Sequence, residues 1–404
     1  MNKSIYICAA AAMMLASCSN DEVVEQAQEN AISFRSMMGA NTRGVVADVS
    51  NLNTLCVTAY QGTNLHFDNV IFQKDGTGFF NSAKPYYWPE TGELTFTVLS
   101  GNWSGTRDFT GSTEQWMRNV TINDDIVKQE DMTYVSNVAG TKAANGKVGV
   151  PLEMKHALVQ VQLNAKNTNP NYVYKVKGFR LNNVVSNGDF DFKNEQWNTN
   201  GNGNIKHKTL EVTYDTPIDL AADAKSIMGT AGNAMVIPCT SSQWIVGGGS
   251  FEVPLSADAQ PQASTIEGAF FSVLVNIQMK LGATVYPDKV GGYAWVAIPV
   301  NYQWAQQHGK KFTYTLDFSN GAGRVDPVDP GTDWDASKDP AKTQPVLGGL
   351  IRFGVTVSEW GTDDKDVDLK DPEKFDVTVD GWTDDKKDAP LKLSLIHISE
   401  PTRH

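Results

Sequence analysis

The sequence predicts an all-β protein with two β-sandwich domains in tandem. From Ala31 onwards, short runs of alternating apolar and polar residues recur along the chain, and a period of two is typical of half-buried strands. Gly, Asn, Asp and Pro interrupt these runs after about ten residues, as the turns of a sandwich require. No run keeps the period of an amphipathic helix. The 404 residues are enough for two domains of ordinary size.

Residues 1–17 have the features of a lipoprotein signal peptide. One cation precedes an apolar run over residues 5–16, which is much shorter than the roughly 20 residues of a membrane-spanning helix. Residues 15–18 resemble a bacterial lipobox, which implies cleavage between Ser17 and Cys18 and acylation of the Cys18 thiol, with palmitate as the expected chain. An ordinary signal peptide with an incidental cysteine is the alternative.

The first strand pattern lies just beyond this region. Residues 31–38 alternate so that Ile32, Phe34 and Met38 face inward, and we expect them to complete the first domain as a removable edge strand. The loop that follows, residues 39–44, carries Arg43. A trypsin-like protease needs an extended, accessible arginine, which Arg43 offers and which Arg35, inside a paired strand, does not.

Further strand patterns follow in chain order and end in a repeated tail. They cover residues 55–60, 94–99, 158–163, 172–176, 270–278, 294–300 and 312–318. Residues 353–360 then recur as residues 375–382, each copy with Phe, Val and Val on one face and a closing Trp. The second copy is either part of a β-hairpin that completes the second sandwich or an extra strand offered to a neighbour.

Composition and motifs predict neither catalysis nor a cofactor. The formal net charge of −12 argues against a nucleic-acid partner. The histidines are scattered and no phosphate loop, G-x-S-x-G or H-E-x-x-H segment occurs, so we predict no metal site and no enzyme. A secreted hydrolase is the weaker alternative. Cys56 and Cys239 are expected to be unpaired.

Tryptophans suggest a second kind of activity. Sugar faces stack on indole rings, and the chain offers candidates for a glycan-binding platform at Trp103, Trp116, Trp197, Trp244, Trp295 and Trp304. Core packing is the alternative for those that lie in strand-like runs.

Several segments together resemble the Bacteroidales fimbrillin family, the type V pilin-like or Mfa-like surface lipoproteins. The segments are residues 42–44, 86–89 with 94–96, 131–134, 150–161, 176–190, 296–299 with Trp304, 309–316 and 353–360. The acidic residues 19–22 likewise resemble the export signal of surface lipoproteins. The resemblance implies two transthyretin-like β-sandwich domains and a surface-exposed location on the cell outer membrane.

The resemblance also implies a function, that of a structural subunit of an adhesive fimbrium. It implies cleavage by an Arg-specific protease between Arg43 and Gly44, after which strand exchange would join the subunits. The donor strand would then be Phe353, Val355 and Val357, or Phe375, Val377 and Val379. The implied partners are other fimbrial subunits, the protease, the outer membrane through the lipid, and a glycan or protein receptor. The alternative is a monomeric surface lipoprotein that binds glycan.

On this basis the chain is divided into predicted segments. A propeptide over residues 18–43 precedes an N-terminal domain over 44–150 and a C-terminal domain over 151–369. Within the latter, the acidic, proline-rich residues 324–345 should form a solvated excursion. The repeated tail follows at 370–393. Residues 394–404 resemble the translation of a sequencing adapter and are excluded from the fold.

Overall fold

The computed structural model describes residues 30–38, 52–100, 103–199, 206–244, 268–287, 289–329, 345–347 and 351–360. Within these ranges the chain is built almost entirely of strands, and the all-β prediction is confirmed. Every predicted strand pattern that lies in these ranges coincides with a strand.

In chain order the strands are β1 (Phe34–Met38), β2 (Thr54–Gln61), β3 (Asn64–Lys74), β4 (Phe79–Ser82), β5 (Leu94–Ser100), β6 (Thr106–Phe109), β7 (Gln115–Thr121), β8 (Thr133–Gly140), β9 (Val150–His156), β10 (Val159–Lys166), β11 (Tyr172–Val185) and β12 (Asn187–Asp191). They continue as β13 (Gln196–Asn198), β14 (His207–Asp219), β15 (Lys225–Ser226), β16 (Ala234–Val236), β17 (Thr240–Ser241), β18 (Phe270–Met279), β19 (Thr284–Tyr286), β20 (Ala294–Pro299), β21 (Tyr302–Gln303), β22 (Lys310–Asp317), β23 (Arg324–Val325) and β24 (Arg352–Glu359). The described helical segments are an α-helix at Lys142–Asn145 and 3₁₀ turns at Ile126–Lys128 and Phe318–Asn320. None of the helices in the described ranges has the length and apolar character of a membrane span.

The N-terminal strands close into a barrel in the order β1-β4-β3-β2-β5-β8-β9, and β9 pairs back with β1. The sequence predicted a sandwich here. Alternation identifies the inward face of each strand but does not distinguish an open sheet from one closed on itself. The barrel encloses its own apolar core, which includes Phe34, Leu55, Val57, Phe72, Phe80, Phe96, Val98, Val150 and Leu152.

Two further sheets enclose a second, larger core. Their strand orders are β15-β10-β22-β24 and β14-β11-β18-β20-β23. The core between them includes Val159, Val161, Leu163, Val176, Phe179, Phe271, Val273, Val296, Tyr314 and Leu316. The predicted division at residue 150 falls just before β9, which belongs to the barrel, and the assignment of domains stays a prediction.

A small sheet connects the two regions. The segment between β5 and β8 forms β6 and β7, and β7 pairs with β12 to give the order β13-β12-β7-β6. Its inward side chains, among them Met117 and Val120, join the larger core. A part of the chain that precedes β8 therefore packs with the C-terminal sheets.

The two ends of the predicted excursion at 324–345 belong to the fold, so the prediction was wrong there. Arg324 and Val325 pair with β20, and Arg324 also bridges to Pro345. Asp326 is fully buried, and one of its carboxylate oxygens accepts hydrogen bonds from the backbone N–H groups of Val328 (2.8 Å) and Asp329 (2.9 Å). Such turns occur wherever Asp can bond its own backbone, so composition alone does not show that this one is buried.

Both described cysteines are free thiols, as predicted. Cys56 is half-buried and Cys239 is buried. Burial raises the pKa of Cys239 to about 11, so that its thiol stays protonated and poorly reactive at neutral pH. Among the described residues no group of His, Cys, Asp or Glu is arranged to hold a metal ion.

Candidate functional site

The predicted displaced strand, β1, lies between two neighbours. It runs parallel to β9 over residues 34–38 opposite 150–154, and antiparallel to β4 at Phe34 and Arg35. The sequence predicted an edge strand, and in this respect it was wrong, because the sheet closes through β1. Removal of β1 would therefore leave two unpaired edges, on β4 and on β9.

The inward side chains of this segment fill the centre of the barrel. Phe34 is fully buried and makes edge-to-face contacts with Phe72 and Phe96, at ring-centroid distances of 4.9 and 5.1 Å. Ile32 is buried beside it, as predicted from alternation. Met38 pairs through its backbone with Met154. Each fully buried side chain of this size contributes roughly 1.5–3 kcal/mol to stability.

Backbone hydrogen bonds fasten the residues before β1 to the loop at residues 86–88. The N–H of Ile32 donates to the carbonyl of Tyr86 (2.7 Å), and the N–H of Trp88 donates to the carbonyl of Asn30 (3.1 Å). The sequence marked residues 86–89 as part of a family-like pattern. It did not show that they hold the segment that precedes β1.

Gly149 permits the close approach of β9 to β1. Its φ is +70°, and a Cβ at this position would lie 3.1 Å from the ring of Phe79 and 3.3 Å from the hydroxyl of Ser33. The next residue, Val150, donates its N–H to the carbonyl of Ser33 (2.9 Å). A side chain at position 149 would be strained and would press on the β1 segment.

Two arginines, Arg35 and Arg43, lie near the predicted cleavage site. Arg35 has an exposed side chain, but its backbone is paired with both Phe79 and Pro151. A protease that binds its substrate as an extended strand cannot reach that backbone while the barrel is closed. Arg43 and Gly44 lie outside the described residues, as do Ser17 and Cys18.

The first candidate donor strand, β24, pairs with β22 along its whole length, from Arg352–Asp317 to Glu359–Lys310. Within the described residues no strand pairs with its other edge. Phe353 and Val355 are half-buried against the larger core, and Val357 is 41% exposed. The second candidate donor, Phe375, Val377 and Val379, lies outside the described residues.

The end of β24 contacts the end of β9. Trp360 is buried, and its backbone N–H donates to the carbonyl of Gly309 (2.8 Å). Its indole ring stacks on the imidazole of His156, with a centroid distance of 4.3 Å and an interplanar angle of 4°. The Nδ1 atom of His156 lies 2.7 Å from a carboxylate oxygen of Asp131. The sequence placed His156 and Trp360 in two separate family-like segments and gave no sign that they meet.

A second histidine lies at the same junction. The Nε2 atom of His308 is 3.3 Å from the hydroxyl of Tyr134, while Lys155 pairs with Glu195 nearby at 2.7 Å. Burial lowers the pKa of His308 from its ordinary value of 6.5, an effect that Lys155 and Lys310 reinforce and Glu195 opposes. At and above neutral pH this histidine is therefore neutral in the folded protein.

The tryptophans do not form an open platform. Trp244, Trp295 and Trp304 are buried, so the prediction of a glycan surface was wrong for these. Trp103 and Trp197 stack on each other at 6.4 Å, and their N–H groups donate to the carbonyls of Thr133 and Ala157. The guanidinium of Arg118 lies 4.1 Å from the ring centroid of Trp116. Each of the six thus has a structural contact within the chain.

Solved structures share this fold. A fimbrial protein from Bacteroides vulgatus is 11% identical, with a TM-score of 0.51 over 82% of this chain and 99% of its own. A protein from Parabacteroides distasonis that is assigned to cell adhesion is 10% identical, with a TM-score of 0.42 over 82% of this chain and 97% of its own. At such identities the first likeness shows the fold alone. None of the curated proteins compared matches the chain.

The family comparison covers most of the sequence. The model of a family described as fimbrillin-like matches residues 42–360. The match includes the barrel strands after β1, the small sheet, both C-terminal sheets, β24 and Trp360. It confirms the family resemblance that the sequence motifs indicated. The chain therefore belongs to the fimbrillin-like family.

Proposed function

We propose that this protein is a structural fimbrial subunit that assembles by exchange of a β-strand and supports adhesion. Its membership of the fimbrillin-like family indicates a fimbrial or adhesion-related protein at the cell surface. The observation that carries the finer proposal is the position of β1, a short N-terminal strand that completes the barrel through Phe34. It is followed, across residues 39–42, by Arg43.

In this proposal an Arg-specific protease cuts between Arg43 and Gly44 and separates β1 covalently from the barrel. Loss of β1 opens a groove between β4 and β9 that is lined by Phe72 and Phe96 and by unpaired backbone groups. An extended strand from another subunit fits such a groove by β-augmentation. A donor side chain that takes the place of Phe34 would bury apolar surface that contributes roughly 1.5–3 kcal/mol to the stability of the joined subunits.

The same proposal places the unassembled protein at the outer membrane as a lipoprotein. Acylation of Cys18, after cleavage behind Ser17, would anchor the precursor. Removal of residues 18–43 would then release the subunit from its lipid at the step that opens the groove. The partners are accordingly the protease, the membrane lipid before cleavage and other fimbrial subunits after it.

Limited trypsin digestion of the folded precursor tests the maturation step. We expect one early cut that leaves Gly44 as the new N-terminus, followed by ladders that resist SDS. The variant Arg43→Ala should abolish both the cut and the ladders, whereas Arg35→Ala, the matched control inside β1, should change neither. An early cut elsewhere, or a cut after Arg43 that leaves only monomer even after the freed segment is removed, would refute the proposal.

A peptide competition assay distinguishes the two candidate donors. Because β1 has neighbours on both sides, we expect the cut 18–43 segment to stay bound until another strand replaces it. Peptides of residues 351–360 and 373–382 would be added to the cleaved monomer, and release of the segment measured by native mass spectrometry. The control is the 351–360 peptide with Phe353→Asp, which removes the apolar side chain. Release by neither peptide would exclude both assigned donors.

A monomeric lipoprotein that binds glycan is the second candidate. It predicts acyl chains retained on Cys18 in the mature protein, and binding to immobilised glycans that is lost when Trp116, which Arg118 covers on the small sheet, is replaced by Ala.

A further inference from the structure

The outer edge of β24 is an incompletely covered part of the larger core. In the described part of the chain β24 has one neighbour, β22, so that half of its backbone groups point away from the sheet. Phe353 and Val355 lie on the face that packs on the core, yet they are only half-buried. Val357, on the same face, is 41% exposed. We call these three side chains the β24 stripe.

The sequence contains a second segment of the same alternating pattern, directly downstream. Residues 375–379 repeat Phe, Val and Val at alternate positions, and residues 361–374 connect them to the end of β24. A strand that continues the sheet beyond β24 needs apolar side chains on the face of the β24 stripe and polar ones on the opposite face. Asp376, Thr378 and Asp380 supply the polar alternation.

One antiparallel register places an apolar residue opposite each residue of the β24 stripe and an acidic residue opposite Arg352. It sets Phe375 opposite Val357, Val377 opposite Val355 and Val379 opposite Phe353. It also sets Asp380 opposite Arg352, whose side chain is exposed, and opposite charges across a strand pair are favourable. A shift of one residue would turn Asp376 and Asp380 toward the core. A shift of two in one direction would set Phe375 opposite Glu359, and in the other direction it would set Val379 opposite Ile351, which precedes the first residue of β24. Both shifts lose the charge pair.

We propose that residues 375–380 pair antiparallel with the free edge of β24 in the same chain and cover the β24 stripe. The connection begins where Trp360 leaves the sheet, and Pro372 lies within it, outside the pairing, where it removes no ladder hydrogen bond. The cost of loop closure grows only slowly with length, and the tethered strand is present at a high effective concentration. The same chain therefore outcompetes a second copy as the occupant. The pairing requires no strand exchange.

Disulfide trapping in the full chain tests the register. The matched pair Val357→Cys with Phe375→Cys should oxidise to an intramolecular bridge in monomer, mapped by peptide mass spectrometry. The mismatched pair Val357→Cys with Val379→Cys has the same first cysteine and should react at least about fivefold less, because its second cysteine lies opposite Phe353 in the predicted register. Equal trapping of both pairs, no trapping, or bridges formed only between two chains would overturn the proposal.

Amide hydrogen exchange tests the same pairing without a crosslink. Val377→Asp places a charge on the core face, and we expect exchange in β24 to rise by about tenfold or more. Thr378→Asp adds the same charge on the opposite face, next to the position of Gly354, and should leave β24 protection unchanged. If Val377→Asp leaves exchange in β24 at the level of the unmodified chain, residues 375–380 do not cover this edge.

Discussion

The two strands proposed to take part in exchange, β1 and β24, are held in opposite ways. β1 has a neighbour on each side and a fully buried Phe34 at the centre of the barrel. β24 has one neighbour among the described strands and keeps Val357 41% exposed. The strand that is proposed to leave is therefore the better packed of the two.

If β1 is the strand that leaves, as we propose, packing does not decide which strand can be exchanged. A well-packed strand leaves only when the chain that tethers it is cut and a competing strand takes its place, because each step of release exposes apolar surface. A poorly covered edge strand needs no cut. Proteolysis after Arg43 would then act as the irreversible step, whereas β24 would have to lose only its proposed pairing with residues 375–380 before it could act as a donor.

The largest expected effect is the difference in unfolding free energy lost when an apolar side chain is shortened in each of the two strands. Phe34→Ala removes an aromatic side chain from the closed core and should lower the free energy of unfolding by about 3–5 kcal/mol. Val357→Ala removes partly exposed methyl groups and should cost less than about 1 kcal/mol. Urea unfolding of both variants measures the contrast, and equal losses would show that β1 is not the better packed strand.

The contact between β1 and β9 gives the next effect. Gly149→Ala adds strain at a φ of +70° and a contact with Phe79 at 3.1 Å, which together should cost about 1–3 kcal/mol. Gly62→Ala is the matched control, because its φ is +61° and nothing lies within 4 Å of the new Cβ. We expect the control to lose only the stability that backbone strain costs. Equal losses of stability in the two variants would show that the approach of β9 to β1 is not constrained.

The stack at the end of β24 gives a smaller, local effect. Trp360→Phe keeps an aromatic ring and the backbone bond to Gly309 but reduces the overlap with His156, at a cost of about 1 kcal/mol. Hydrogen exchange should increase in β24 and remain unchanged in β1, since β24 pairs with β22 and contacts β9 through the stack of Trp360 on His156. An equal increase in both strands would mean that the junction couples them.

Alternation predicted the parts of this comparison that depend on a single strand. It identified β1 and β24 and the inward direction of Ile32 and Phe34, because the side-chain period of a strand is local. It did not predict that β1 lies between β4 and β9, since the pattern defines a face and not a neighbour. The stack of His156 on Trp360 and the burial of Asp326 were missed for the same reason, as each depends on residues distant in sequence.

The smallest expected effect is a pH dependence at the junction beneath β24. Burial, Lys155 and Lys310 lower the pKa of His308 below 6.5, against the opposing effect of Glu195, so the unfolded chain binds a proton that the folded chain does not. The contribution of His308 to the free energy of unfolding is fully present above a pH of about 6.5. It decreases as the pH falls below that value, by at most roughly 1.4 kcal/mol per pH unit.

His308→Asn removes the titration while it keeps a polar side chain beside Tyr134. The difference in unfolding free energy between pH 7.5 and 5.5 should therefore be smaller in this variant than in the unmodified protein. His66→Asn, the same substitution at a half-buried site in the barrel, is the control and should retain the full difference. An unchanged slope in His308→Asn would assign the acid sensitivity to another group and leave β1 and β24 differing in their packing alone.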